Sequence, residues 1–133
     1  MLSLVETRNR HFIEMCRRVI ASIPAGEPIR ISEVARIAAN QEAPFYYCTY
    51  TYALRVLRVM RHGRLTMQND RRAQMFREIL KRCEKKMIRY DCDLQEALVM
   101  VLAEGRASQF FISDSTAERL VQRITSERRA MRG

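Results

Sequence analysis

Arg55 and Arg119 stand 64 residues apart, each six positions after a hydroxyl residue, Thr49 or Ser113, suited to cap a helix. A guanidinium on the outward side of a helix offers a planar fork of donors, which fits the two acceptors of a guanine edge or two phosphate oxygens. Hydroxyls at helix N-termini can meet backbone phosphates through side chain and amide. Around these pairs the outward positions read Tyr50, Thr51, Arg58 and Arg61 in the first helix and Ser115, Glu118, Gln122 and Arg123 in the second. The competing account is ordinary: solvated helix faces with their capping residues.

Other chemistries find less to work with. Asp91 and Asp93 flank Cys92, but in a segment that reads as a turn and with no third ligand or base. His11 beside Phe12 and His62 at a helix end are explained by position rather than by proton transfer. Cys16, Cys48, Cys83 and Cys92 include no C-x-x-C pair, and with two histidines they suggest neither a zinc site nor a disulfide framework. Four glycines make no phosphate-cradling loop. The expectation is a protein without catalytic residues, metal or cofactor.

Charge points the same way as the arginines. The chain carries 24 Lys plus Arg against 15 Asp plus Glu, a net +9, and 21 of the 24 are Arg. Such a surface favours nucleic acid or carboxylate partners, so double-stranded DNA leads and an acidic protein partner is the rival. Lys81, Arg82, Lys85, Lys86 and Arg89 add a basic face to one helix, and Arg128, Arg129 and Arg132 a basic end expected to fray. Phe45, Tyr46, Tyr47, Tyr50 and Tyr52 suggest a stacking platform for RNA or single strands, but they lack interleaved basic residues. Phe110 and Phe111 occupy the matching place 64 residues on, which favours a packing role for both clusters. No signal peptide or bilayer-spanning apolar run is evident, so no membrane association is expected. Cysteines on apolar helix faces suggest a reducing, cytoplasmic setting.

The elements that must position these residues follow from apolar periodicity. A first helix is expected from about Leu4 to Ile23, ended by Pro24, Gly26 and Pro28. A short one runs from Ser32, as its start, to about Asn40, then an extended stretch over 43–49 and a helix from Thr51 to Arg61. The order then recurs: a long helix from Asp70 to Tyr90, a short one from Leu94 to Glu104, an extended 109–112, and a last helix of about 14 residues capped by Ser113. Arg8, Phe12, Glu14 and Arg18 reappear as Arg72, Phe76, Glu78 and Arg82, and Ala43, Ala53 and Arg55 as Ala107, Ala117 and Arg119. We read one compact domain, 1–133, of two repeats at about 5–63 and 69–126, with a basic tail over 127–133. Each repeat alone, about 60 residues, is near the lower limit for independent folding. Arg64 to Asn69 is the candidate linker.

The segment Ile112, Ser113, Asp114, Ser115, Thr116, Ala117, Glu118, Arg119, Leu120 resembles the start of the recognition helix in helix-turn-helix DNA-binding domains. Cys48, Thr49, Tyr50, Thr51, Tyr52, Ala53, Leu54, Arg55, Val56 is a weaker match that keeps the hydroxyl, the Ala and the Arg. The resemblance covers about 30 residues of each half. It implies a nucleic-acid surface of Thr49, Thr51, Arg55, Arg58, Arg61, Ser113, Ser115, Arg119, Gln122 and Arg123. One departure stands out: Glu104 to Ser113 leaves about eight residues where that family joins its helices by three or four. A winged or ribbon-containing variant accommodates the difference. The fold expected is therefore all-α, with room for a short two-stranded ribbon, fused about a pseudo-two-fold axis. The function expected is non-catalytic duplex binding, as a transcription regulator or an accessory factor of recombination, a mobile element or phage biology, with homo-oligomers compatible.

Overall fold

In the computed structural model, which describes residues 2–63 and 71–132, every regular element is an α-helix. These are α1 (Leu4–Ala21), α2 (Ile31–Ala39), α3 (Tyr50–Arg61), α4 (Arg71–Tyr90), α5 (Leu94–Glu104) and α6 (Asp114–Arg132). The linker read at Arg64–Asn69, together with Asp70, lies outside the described residues, as does the Arg132 side chain.

Local chemistry accounts for most boundaries. Ser3 and Glu6 form a capping box on α1, the Ser3 Oγ accepting the Glu6 N–H at 3.1 Å while Glu6 Oε2 accepts the Ser3 N–H at 3.2 Å. Thr49 Oγ1 accepts the Tyr52 N–H at 3.2 Å, and Asp93 Oδ1 the Glu96 N–H at 2.8 Å, starting α3 and α5. Ser113 Oγ accepts the Thr116 N–H at 3.3 Å and so caps α6 as expected.

Three expectations are corrected. Ser32 does not open α2; the helix is already under way, with the Val34 N–H bonded to the Arg30 carbonyl at 3.0 Å and Arg30 offering no side-chain cap. The last helix is 19 residues long and takes in the segment read as a frayed tail. Glu127 there reaches Arg17 of α1 at 4.0 Å, and its neighbours Arg128, Arg129, Ala130 and Met131 are strong helix formers. No two-stranded ribbon forms among the described residues. Pro44 has no N–H to give a ladder, and Phe111 sits at φ +51°, which interrupts the second extended stretch.

The helices gather into two compact units that cut across the repeats read from the sequence. One contains Met1–Ala43 with Ser108–Gly133, so that α6 packs on α1 and α2; the other is Pro44–Ala107, in which α3 packs on α4 and α5. The last helix of each half thus covers the apolar faces of the other half's first two.

Burial recurs at constant spacing. Val34, Ala35 and Ala38 of α2 are buried, and so are Ala97, Leu98 and Val101, 63 residues on. Ala53, Val56 and Leu57 of α3 are matched by Ala117, Leu120 and Val121 at 64. In the long helices Phe12, Cys16 and Ile20 correspond in burial to Met75, Ile79 and Cys83, a spacing of 63 rather than the 64 that aligns identical residues. No helix among the described residues is long and apolar enough to cross a membrane.

Candidate nucleic-acid interface

The apolar positions of α3 and α6 face their units' cores, which fixes what the opposite sides present. All ten residues expected to meet nucleic acid, Thr49, Thr51, Arg55, Arg58 and Arg61 with Ser113, Ser115, Arg119, Gln122 and Arg123, are exposed. Thr51, Arg55 and Arg58 lie opposite the Ala53, Val56, Leu57 core face, as the 3.6-residue period requires. None of the five arginines among them forms a salt bridge with another described residue. Thr49 and Ser113 spend their hydroxyls on the caps, so at these helix starts the first backbone amides remain as donors.

What aims α3 is a polar latch that the sequence did not reveal. Tyr46, only 5% exposed, donates from its phenol to Glu78 Oε2 at 2.6 Å and accepts from Arg82 Nη1 at 2.9 Å. The same guanidinium donates to the Gly105 carbonyl at 2.6 Å and to Glu104 at 3.0 Å, and Lys86 also donates to Glu104. Burial, reinforced by the Glu78 carboxylate, holds the Tyr46 phenol well above its ordinary range. Hydrogen bonds from Lys86 keep the Glu104 carboxyl below the usual value.

Gly105 completes the latch. It ends α5 at φ +64°, and a Cβ there would lie 2.1 Å from the Pro44 carbonyl oxygen. The Arg106 N–H donates to that same oxygen at 2.9 Å. The extended segment that leads into α3 is therefore seated on the end of α5. In the other unit the Phe110 N–H donates to the Ala39 carbonyl at 3.0 Å, seating the segment that leads into α6 on the end of α2. Each unit thus places short helix, extended segment and outward helix in sequence through space, with the last two supplied by the opposite half.

The basic run on α4 divides. Arg82 and Lys86 are partly buried in the latch, while Lys81, Lys85 and Arg89 stay exposed. Among the aromatics, Tyr46, Phe110 and Phe111 pack inside, and Phe110 meets the edge of Phe12 at 5.5 Å between ring centres. Tyr52 packs on Phe76 and carries the Arg72 guanidinium over its ring at 4.9 Å. Phe45 and Tyr50 are left half-exposed. The identical pairs Glu14 with Glu78 and Arg18 with Arg82 were the available sequence signal for the latch, but nothing in them distinguishes a buried pair from an exposed one.

The remaining titratable groups build no second centre. Burial pushes the Cys16 thiol up to about 12 and those of Cys48 and Cys83 to about 11, leaving them neutral. Asp93 is occupied as the α5 cap and His62 ends α3. Among the described residues no cluster of three or more His, Cys, Asp or Glu is placed to hold a metal ion. An apolar groove of about 400 Å³ lies beside α1 and α2, lined by Met15, Val19, Ile23, Val34 and Ile37 with Arg18 at its edge.

Compared with protein-family models, curated proteins and solved structures, the chain matches none.

Proposed function

We propose that this protein binds duplex DNA without catalysis, as a regulator or accessory factor, through the outward sides of α3 and α6. The observation that carries the reading is that Arg55, Arg58, Arg61, Arg119 and Arg123 all stand exposed on two helices whose opposite sides are core, and have no internal ion pair among the described residues. Unpaired guanidiniums on rigid helices are pre-organised for phosphate or base edges. The through-space order of short helix, segment and outward helix supports the resemblance to helix-turn-helix domains, here rebuilt by exchange between the halves of a duplicated chain.

The test is a titration of the whole protein against duplex DNA, single-stranded DNA and RNA at several salt concentrations. Duplex affinity is expected to fall steeply with salt and to drop when Arg55 and Arg119 are both replaced by Ala. No duplex binding at low salt would sink the proposal, and preference for single strands would favour the half-exposed Phe45 and Tyr50 instead. A second reading, docking of a protein partner, is favoured by Ile88 on α4 and Val99 on α5, which are 85% and 56% exposed. Substitution of Ile88 and Val99 by Ser should leave DNA affinity unchanged if the leading reading is right.

A further inference from the structure

The two outward helices carry different chemistry on sides that are otherwise comparable. On α3 the exposed positions Thr51, Arg55, Arg58 and Arg61 include no carboxylate, and neither does any other position of that helix. On α6 the exposed Asp114, Ser115, Arg119, Gln122 and Arg123 run beside the half-buried Glu118, so donors and acceptors alternate. Asp114 also occupies the first turn of α6, whereas α3 has no acidic residue in its first turn.

A phosphodiester offers only acceptors and negative charge. A stripe of three guanidiniums and a hydroxyl on an acid-free helix complements it, and the positive end of the helix dipole adds to the attraction. Base edges in the major groove offer both donors and acceptors. Gln matches adenine, Arg guanine and Glu cytosine, and these are the residue types α6 displays at helical spacing. A carboxylate set against a phosphate would repel it, so Asp114 and Glu118 fit a base edge better than a backbone.

We infer, resting on the DNA-binding reading above, that the helices divide the work: α3 grips the phosphate backbone irrespective of sequence, and α6 reads base edges, with Gln122 and Arg119 as the specificity-determining pair. The chain is a binder of one preferred duplex sequence rather than a uniform coat of DNA.

The experiment begins by selecting preferred duplexes from a random library with the whole chain, then measures affinity for the preferred and a scrambled duplex across salt. Replacing Arg55, Arg58 and Arg61 together by Gln should weaken both duplexes by a similar factor and reduce the log affinity against log salt slope by roughly 2 to 3, at about 0.9 per phosphate contact. Gln122→Ala should leave that slope unchanged and cut the preferred-to-scrambled ratio about tenfold, the discrimination typical of one bidentate contact. All these positions are exposed, and circular dichroism checks that the variants fold. Duplex binding with no sequence preference, or variants of α3 and α6 that alter slope and preference alike, would overturn the division while leaving DNA binding intact. Absence of duplex binding at low salt would overturn both.

Discussion

The two units solve the same packing problem with different contacts. Tyr46 of one unit corresponds by the 64-residue spacing to Phe110 of the other, and Glu78 and Arg82 to Glu14 and Arg18. Where the aromatic is a tyrosine, its hydroxyl draws the acid and the arginine into a partly buried network. Where it is phenylalanine, the ring meets Phe12 edge-on, and Glu14 and Arg18 are left exposed. One oxygen atom decides whether a charged pair holds the fold or faces solvent. The ends of the short helices differ in the same spirit. α5 stops on Gly105 with the chain pressed against it, while α2 ends with Asn40 Nδ2 and Gln41 Nε2 donating to the Arg36 and Ile37 carbonyls at 3.0 and 3.2 Å. Charge follows the division too. Residues 44–107 carry 13 basic against 7 acidic side chains, net +6, and the rest of the chain 11 against 8, net +3.

The comparison can be broken most forcefully in the cores. Phe12→Ala and Phe76→Ala, at fully buried positions, should each lower stability by about 3–5 kcal/mol in denaturant unfolding. Native-state amide exchange should show the loss of protection concentrated in the unit that carries the change; equal loss in both would mean that the chain opens as one body. Gly105→Ala comes next, at about 3 kcal/mol, because strain at positive φ adds to the clash with the Pro44 carbonyl. An unchanged melting temperature would show that the close seat on α5 is dispensable. Tyr46→Phe makes the latched unit resemble the other at this position and should cost about 1–3 kcal/mol, since it leaves Glu78 and Arg82 without their shared partner. The smallest effect belongs to Glu104. Its folded-state pKa is lowered, so its contribution is present above the ordinary carboxylate range and is lost as pH falls through the lowered value. Glu104→Gln should therefore flatten the acid limb of stability against pH, with little change near neutrality beyond the loss of an exposed pair.

Much of the local structure was legible in the residues themselves. The apolar period of α5 and the punctuation around it placed its bounds at Leu94 and Glu104, and the caps at Thr49 and Ser113 were readable because an N-cap needs only its own hydroxyl and an amide three residues away. Ser32 misled for the same reason: a hydroxyl signals a cap only where the backbone upstream is not yet helical. The ten outward residues were readable as exposed once the core faces were known. The latch was not, because Tyr46 and Arg82 are 36 residues apart and only folding brings them together.

The sequence by itself determined the helices, their apolar sides and the arginines left on the opposite sides, because helical periodicity and capping are short-range matters. Only the tertiary structure decided which helix covers which face. Hydrophobic burial is non-directional, so an apolar stripe such as that of α2 states that it must be covered without naming its partner. The buried residues of α3 and α6 are nearly alike in size and spacing, and it is their seating, through the bonds at Ala39 and Pro44, that sends each to the opposite half.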